Sequence, residues 1–136
     1  MLEQNKALAA QWFEEVWNQK SEAAIDRLFH PEGRCYGFPE PDSVLVGPEA
    51  FKQVHRTFLG AFPDLRIDVE QMIAEGDGVA IRWKTTMTHG GDHLGFPASG
   101  RAVVLHGSAF IVTDGKQITE GWNHMDLGNM FQALKA

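Results

Sequence analysis

The chain has 136 residues, a hydrophobic fraction of 43% and a net charge of −6 at pH 7. This length suits one domain, over residues 1–136, with a core that needs no disulfide. The acidic balance argues against nucleic-acid binding, which usually needs a basic patch. The amino terminus has no apolar signal region, no apolar run nears the roughly 20 residues of a membrane span, and Cys35 has no partner. We therefore expect a cytoplasmic protein that binds neither nucleic acid nor membrane.

Two helices and a short strand are predicted at the amino-terminal end. Apolar residues at three- and four-residue spacing predict an amphipathic helix over residues 4–19. Ser21 suits the N-cap of a second, shorter helix, which should end at His30-Pro31 because the residue before proline disfavours helical geometry. A short strand over residues 33–38, which contains Tyr36, is expected next, and a loop follows.

A third helix is predicted to begin at Gly47-Pro48, since proline is well tolerated in the first turn. Phe51 and Phe58 belong to its buried stripe. His55 lies beside that stripe, where it either lines a cavity or occupies a satisfied position in the core.

The second half of the chain has the period of two that is typical of strands. Alternating segments flank the hairpin signal at residues 75–78, and the second of them contains Trp83. A long strand over residues 101–113, a final strand and a carboxy-terminal helix over residues 128–134 follow. Helices first and long strands after them indicate an α+β fold. We expect a cone, in which a strongly curved antiparallel sheet wraps over the helices and encloses an apolar cavity.

The long strand 101–113 carries His106 among apolar neighbours, and its period places His106 and Phe110 on one face. His106 either faces a pocket or is a hydrogen-bonded histidine of the core. The glycine-rich loop before this strand contains His89 and His93. We expect no metal site there, because the third ligand of a usual catalytic zinc site is missing.

The final strand, residues 115–126, concentrates groups that move or bind protons. Trp122, His124 and Asp126 share one face, and Asn123 lies on the other. A β-bulge between Asn123 and Asp126 would direct both into one cavity. The alternative for Asp126 is the N-cap of the last helix, for which aspartate is a preferred residue.

Short motifs run through nearly the whole chain in the order of one known family. They are Leu28-Phe29-His30-Pro31, Gly47-Pro48-Glu49-Ala50-Phe51, Phe62-Pro63-Asp64-Leu65, Thr88-His89-Gly90, Gly95-Phe96-Pro97-Ala98-Ser99-Gly100 and Asp114-Gly115-Lys116. By these motifs the chain resembles the SnoaL-like polyketide cyclases, within the nuclear-transport-factor-2-like superfamily of α+β cones. The resemblance implies aldol ring closure without metal or cofactor, by an acidic residue on the last strand. It places that acid at Asn123, which is an amide here.

The expected site therefore has two groups of residues. The candidate proton-transfer residues are Asp126, His106 and His124. The candidate substrate-binding residues are Asn123, Trp122, Trp83, Tyr36, Phe58, Phe110 and His55. No cofactor and no metal are expected.

Three functions remain open at this level. The first is cofactor-independent acid/base chemistry on a small hydrophobic, carbonyl-containing molecule. The second is an epoxide hydrolase or a ketosteroid-isomerase-like enzyme of the same fold. The third is a binding protein without catalysis, because fold does not fix function. The resemblance also implies a homodimer that packs through the outer faces of its sheets.

Overall fold

A computed structural model describes residues 1–135 of the chain. Its helices are α1 (Leu2–Gln11), a π-helical continuation (Trp12–Asn18), α2 (Glu22–Leu28), α3 (Gly47–Ala61) and α4 (Leu127–Lys135). The long first helix is confirmed, but its second half has the wider π-helical hydrogen bonding. Ser21 caps α2 as predicted, because its hydroxyl accepts a hydrogen bond from the backbone N–H of Ala24 at 3.1 Å.

Six strands form one curved, mixed sheet. They are β1 (Phe29–Tyr36), β2 (Val44–Val46), β3 (Arg66–Glu75), β4 (Gly78–Thr88), β5 (Ala102–Thr113) and β6 (Ile118–Met125). Their order across the sheet is β2-β1-β6-β5-β4-β3. Neighbouring strands are antiparallel except β1 and β6, which are parallel. The predicted α+β cone is thus confirmed. β1 begins earlier than expected, and β2 lies within the predicted loop.

The core lies between the helices and the concave face of the sheet. Trp12 contacts Phe51 of α3 edge-on, with ring centroids 5.0 Å apart, and also packs near Phe29 of β1. Val79, Ile81 and Trp83 of β4 are buried against this layer. Burial of such large side chains is the main stabilising contribution to the fold. The concave face of the sheet therefore packs on a layer of aromatic side chains from the helices.

The two faces of β5 are reversed relative to the expectation. Leu105 and Ile111 are buried on the concave face, whereas His106 and Phe110 lie on the outer face, where Phe110 is 48% exposed. His106 is therefore not a histidine of the core, and the space that it borders lies outside the cone. Both faces of this strand carry apolar residues, so alternation alone could not indicate which of them is buried.

A β-bulge in β6 sets the faces of that strand. Val112 of β5 pairs with Glu120 and Thr113 pairs with Ile118, which leaves Thr119 as the extra residue. The bulge turns Trp122 and His124 outward, while Asn123 and Met125 are half-buried on the other face. The bulge that would direct Asn123 and Asp126 into one cavity is not present between Asn123 and Met125, because the pairing from Gly121 to Met125 is regular.

Helix α4 follows directly at the end of β6. Its Leu127, Met130 and Leu134 are buried. Lys135 of the last turn lies over the ring of Phe96, 5.0 Å from its centroid. Within residues 1–135, no helix has both the length and the apolar character needed to cross a membrane.

Candidate functional site

An apolar cavity of about 60 Å³ lies inside the cone, between the helices and the concave face of the sheet. Its wall includes aromatic side chains from four parts of the chain and two methionines: Trp17, Phe38, Phe58, Trp83, Met87 and Met125. Two of the expected substrate-binding residues, Phe58 and Trp83, thus lie at this cavity.

No charged side chain lines this cavity among the described residues. Its one polar wall residue is Thr85, whose hydroxyl donates to the backbone oxygen of Arg66 at 2.8 Å. That hydroxyl is therefore already engaged with the protein. A wall of this kind favours apolar ligand surface and disfavours a charged group, which would lose its hydration without compensation.

His55 lies behind the cavity wall rather than in it. Its ring packs against Trp17, with centroids 4.9 Å apart, and its Nε2 is 2.7 Å from the backbone oxygen of Val16. The Nδ1 atom is buried without a hydrogen-bond partner in the described part of the chain. Burial lowers the pKa of His55, so the neutral ring with Nε2 as donor fits this environment. Of the two positions that the sequence left open, His55 thus occupies the one in the core, where it packs against Trp17 and does not line the cavity.

Four expected site residues meet in a second pocket, of about 410 Å³, on the outside of the cone. They are Tyr36, Trp122, Asn123 and His124. The Tyr36 and Trp122 rings are stacked at 4.0 Å with an interplanar angle of 13°. Trp122 is 42% exposed, so the expectation that it forms a wall of the interior was wrong. Met125 lines both this pocket and the interior cavity.

Asn123 occupies the position that the resemblance gives to the acid. Its side-chain Nδ2 donates to the backbone oxygen of Tyr36 at 3.0 Å and contacts Sγ of Cys35 at 3.2 Å. Burial raises the pKa of the Cys35 thiol to about 12, so that this sulfur stays protonated at neutral pH. The amide therefore joins β6 to β1, and its donor group is already engaged.

Asp126 is the N-cap of α4. Its carboxylate accepts from the side chain of Asn129 at 2.8 Å and from the backbone N–H of Asn129 at 3.4 Å. Asp126 does not line the interior cavity. It lines a groove of about 510 Å³ between β5 and α4, together with His106. The structure thus brings two of the three candidate proton-transfer residues to the same groove.

The remaining candidates lie on the outer face of the sheet. Phe110 and His124 border a shallow depression of about 330 Å³ there. Phe110 was expected among the substrate-binding residues. It does not line the interior cavity, because the face of β5 that carries Phe110 points outward. His124 is exposed and borders the Trp122 pocket as well.

The described residues contain no cluster of three His, Cys, Asp or Glu side chains that is suited to hold a metal ion. In the glycine-rich loop, Nδ1 of His89 accepts from the backbone N–H of Ser99 at 3.0 Å. His93 packs instead against the backbone of Gly60. The two histidines thus have separate structural surroundings.

Sequence reasoning missed several residues that shape the cavity. Met87, Leu105 and Met125 line it. They were not recognised because isolated apolar residues in strands carry no signal that separates a cavity wall from ordinary core. Trp17 was expected only as part of a helix stripe. A correct assignment of the buried and exposed faces of β5 and β6 would have identified Leu105 and Met125 as cavity residues.

The sequence profile of the SnoaL-like polyketide cyclases matches residues 7–134. The chain belongs to this family. The structure is similar to that of a protein of Jannaschia sp. CCS1, provisionally named a SnoaL-like polyketide cyclase, with a TM-score of 0.90 and 23% identity over 100% of this chain and 94% of that chain.

Two further solved structures are similar to this member of the family. A provisionally named polyketide cyclase of Acidithiobacillus ferrooxidans is 28% identical, with a TM-score of 0.80, over 97% of this chain and 94% of that chain. AclR of Streptomyces galilaeus, provisionally named a hydroxylase, is 24% identical, with a TM-score of 0.83, over 99% of this chain and 98% of that chain. No curated protein matches the chain.

Proposed function

We propose that this SnoaL-like protein binds a small hydrophobic, carbonyl-containing molecule inside its cone. The observation that carries the proposal is the cavity wall, which is formed by aromatic and aliphatic side chains without a charged group among the described residues. Apolar pockets with aromatic walls favour flat hydrophobic ligands. The cavity itself offers no proton donor or acceptor that is free to do chemistry.

The ligand must enlarge a cavity that measures only about 60 Å³. Met87 and Met125 are suited to this, because the unbranched thioether side chain adapts to irregular spaces at low cost. Leu127 contributes the wall on the side of α4. A rearrangement of these three side chains enlarges the space without a change in the sheet.

The chain's five methionines provide a direct test. In a protein labelled at the methionine methyl groups, titration with 1-tetralone, a bicyclic ketone, should shift the NMR signals of Met87 and Met125 in a saturable way. Met1 is 88% exposed and serves as the internal control for nonspecific effects. Unchanged Met87 and Met125 signals up to the solubility limit of the ketone would contradict the proposal.

A second candidate function is acid/base chemistry at the groove between β5 and α4. It is favoured by the placement of Asp126 and His106 in one groove, which adjoins the interior cavity at Leu105. His titrates near neutral pH and is the commonest general acid or base. If Asp126 transfers protons, Asp126→Asn abolishes turnover while the melting temperature stays nearly unchanged, since asparagine also caps helices well.

We also propose that the protein forms a homodimer through the outer face of the sheet. Phe110 and Trp122 are exposed there and pair with each other across β5 and β6, and Val104 is exposed further along β5. Adjacent exposed apolar side chains on a sheet face are typical of an interaction surface. The expected partner is a second copy of the chain, as the family resemblance implies.

A further inference from the structure

β5 is paired on only one side along its first half. β4 pairs with it from Ala102 to Val112, whereas β6 pairs with it only from Gly107 to Thr113. On the β6 side, the segment from Ala102 to His106 has no strand neighbour within the described chain, and α4 lies there instead. The gap between strand and helix is the groove described above.

The groove has the size of a small-molecule site. Its volume of about 510 Å³ lies within the range of roughly 300–1,000 Å³ that is typical of ligand pockets. Met130 and Leu134 of α4 form an apolar wall. Leu105 lines both the groove and the interior cavity, so the two spaces adjoin at this residue.

One end of the groove is formed by His106, Asp126 and Asn129, and Arg101, whose guanidinium donates to the backbone oxygen of Ala133, lines the other end of the strand segment. Gly107 pairs with Met125, which brings His106 and Asp126 side by side just beyond the end of the strand pair. The Asp126 carboxylate accepts two hydrogen bonds from Asn129, and a carboxylate has about four acceptor positions. The His106 ring has no hydrogen-bond partner among residues 1–135. An acceptor with spare capacity therefore lies next to an unengaged imidazole.

We propose that the groove and the interior cavity form one continuous site for a hydroxylated apolar molecule. The apolar body extends past Leu105 into the cavity, and the hydroxyl group lies at His106 and Asp126. A hydroxyl fits this pair because it donates to the carboxylate and accepts from an imidazole N–H. This inference rests on the proposed function, to which it adds the entrance and a second polar group of the ligand, a hydroxyl.

The test compares two probes that differ only in the hydroxyl hydrogen: 1-naphthol and its methyl ether, 1-methoxynaphthalene. Met130 reports on the groove and Met87 on the cavity, while Met125 reports on the cavity and on the outer pocket beside Trp122. We expect 1-naphthol to shift all three methyl signals with one dissociation constant, and the ether to bind about tenfold more weakly. His106→Ala should weaken 1-naphthol about tenfold, the net effect of one good hydrogen bond. Ser108→Ala, two residues along the outer face and outside the groove, should leave binding unchanged.

The outcomes separate this inference from the proposed function. The continuous site would be overturned by three results: NMR shifts of Met87 and Met125 without a shift of Met130, equal affinity for both probes, and no effect of His106→Ala. These results would leave the proposed binding in the interior cavity intact. Shifts confined to Met130 would contradict interior binding and with it the continuous site. Loss of 1-naphthol binding in Ser108→Ala to the same extent as in His106→Ala would also overturn the assignment to the groove.

Discussion

The side-chain Nδ2 of Asn123 lies 3.0 Å from the backbone oxygen of Tyr36 and donates a hydrogen bond to it. An amide fits this place on β6, because it faces a carbonyl oxygen and the protonated thiol of Cys35. A carboxylate would face that same oxygen as a second acceptor. The structure therefore favours asparagine where the resemblance places an acid.

Asn123→Asp should destabilise the protein by roughly 1–3 kcal/mol at neutral pH, the usual cost of leaving such groups unsatisfied. The introduced carboxyl should have a raised pKa in the folded state, since only its protonated form can donate to Tyr36. A raised pKa means that the loss grows as pH rises above the unfolded-state value and shrinks as pH falls. Urea denaturation at several pH values measures this. Asn123→Ala is the control, and an equal pH dependence in both variants would contradict the explanation.

Asp126 is expected to stabilise α4 as its N-cap, because its carboxylate binds both nitrogens of Asn129. Asp126→Ala should lower the free energy of unfolding by about 1 kcal/mol, whereas Asp126→Asn should lower it by much less. Chemical denaturation of the three proteins measures the difference. Equal losses in the two variants would show that the cap is not the source of the effect.

Gly107 allows Trp83 to lie flat against β5. A methyl group at Gly107 would come within 2.3 Å of Cζ2 of the Trp83 indole. Gly107→Ala should therefore displace the indole, alter its fluorescence and destabilise the protein by roughly 1–3 kcal/mol. Gly121→Ala is the matched control, since a methyl group at Gly121 meets no atom within 4 Å. Similar effects of both substitutions would contradict the packing argument.

His55 should make the stability depend on pH. Burial lowers its pKa below the ordinary value of 6.5. The unfolded chain then takes up the proton first as pH falls, so the stabilisation is complete above about pH 6.5 and is lost as pH falls toward the folded-state value. Urea midpoints between about pH 8 and about pH 5 should fall more steeply in the wild type than in His55→Gln. Parallel pH profiles would exclude His55 as the titrating group.

The outer face of the sheet should hold two copies together. Phe110→Lys places a charge at the centre of the exposed apolar residues and should convert a dimer into a monomer in sedimentation equilibrium. Gln53→Lys, at an exposed position of α3, adds the same charge away from the sheet and should leave the dimer unchanged. A wild-type protein that sediments as a monomer at all concentrations would refute the proposed dimer.

The sequence by itself determined the helices and the long strands, although not the short strand β2. The helical stripes, the cap at Ser21, the hairpin turn at Gly76-Asp77 and the alternating strands all depend on neighbours close in the chain. Such local preferences act in the same way whatever the remaining chain does. They were sufficient to predict an α+β cone.

Only the tertiary structure decided which faces and ends of these elements form the site. β5 has apolar residues on both faces, and a single extra residue at Thr119 reverses β6, so alternation could not place His106 or Trp122. The parallel pairing of β1 with β6 joins segments far apart in sequence. An aspartate at position 126 can either line a cavity or cap a helix, and the position of α4 makes Asp126 a helix cap. These outcomes depend on packing between distant segments, which short-range sequence patterns do not encode.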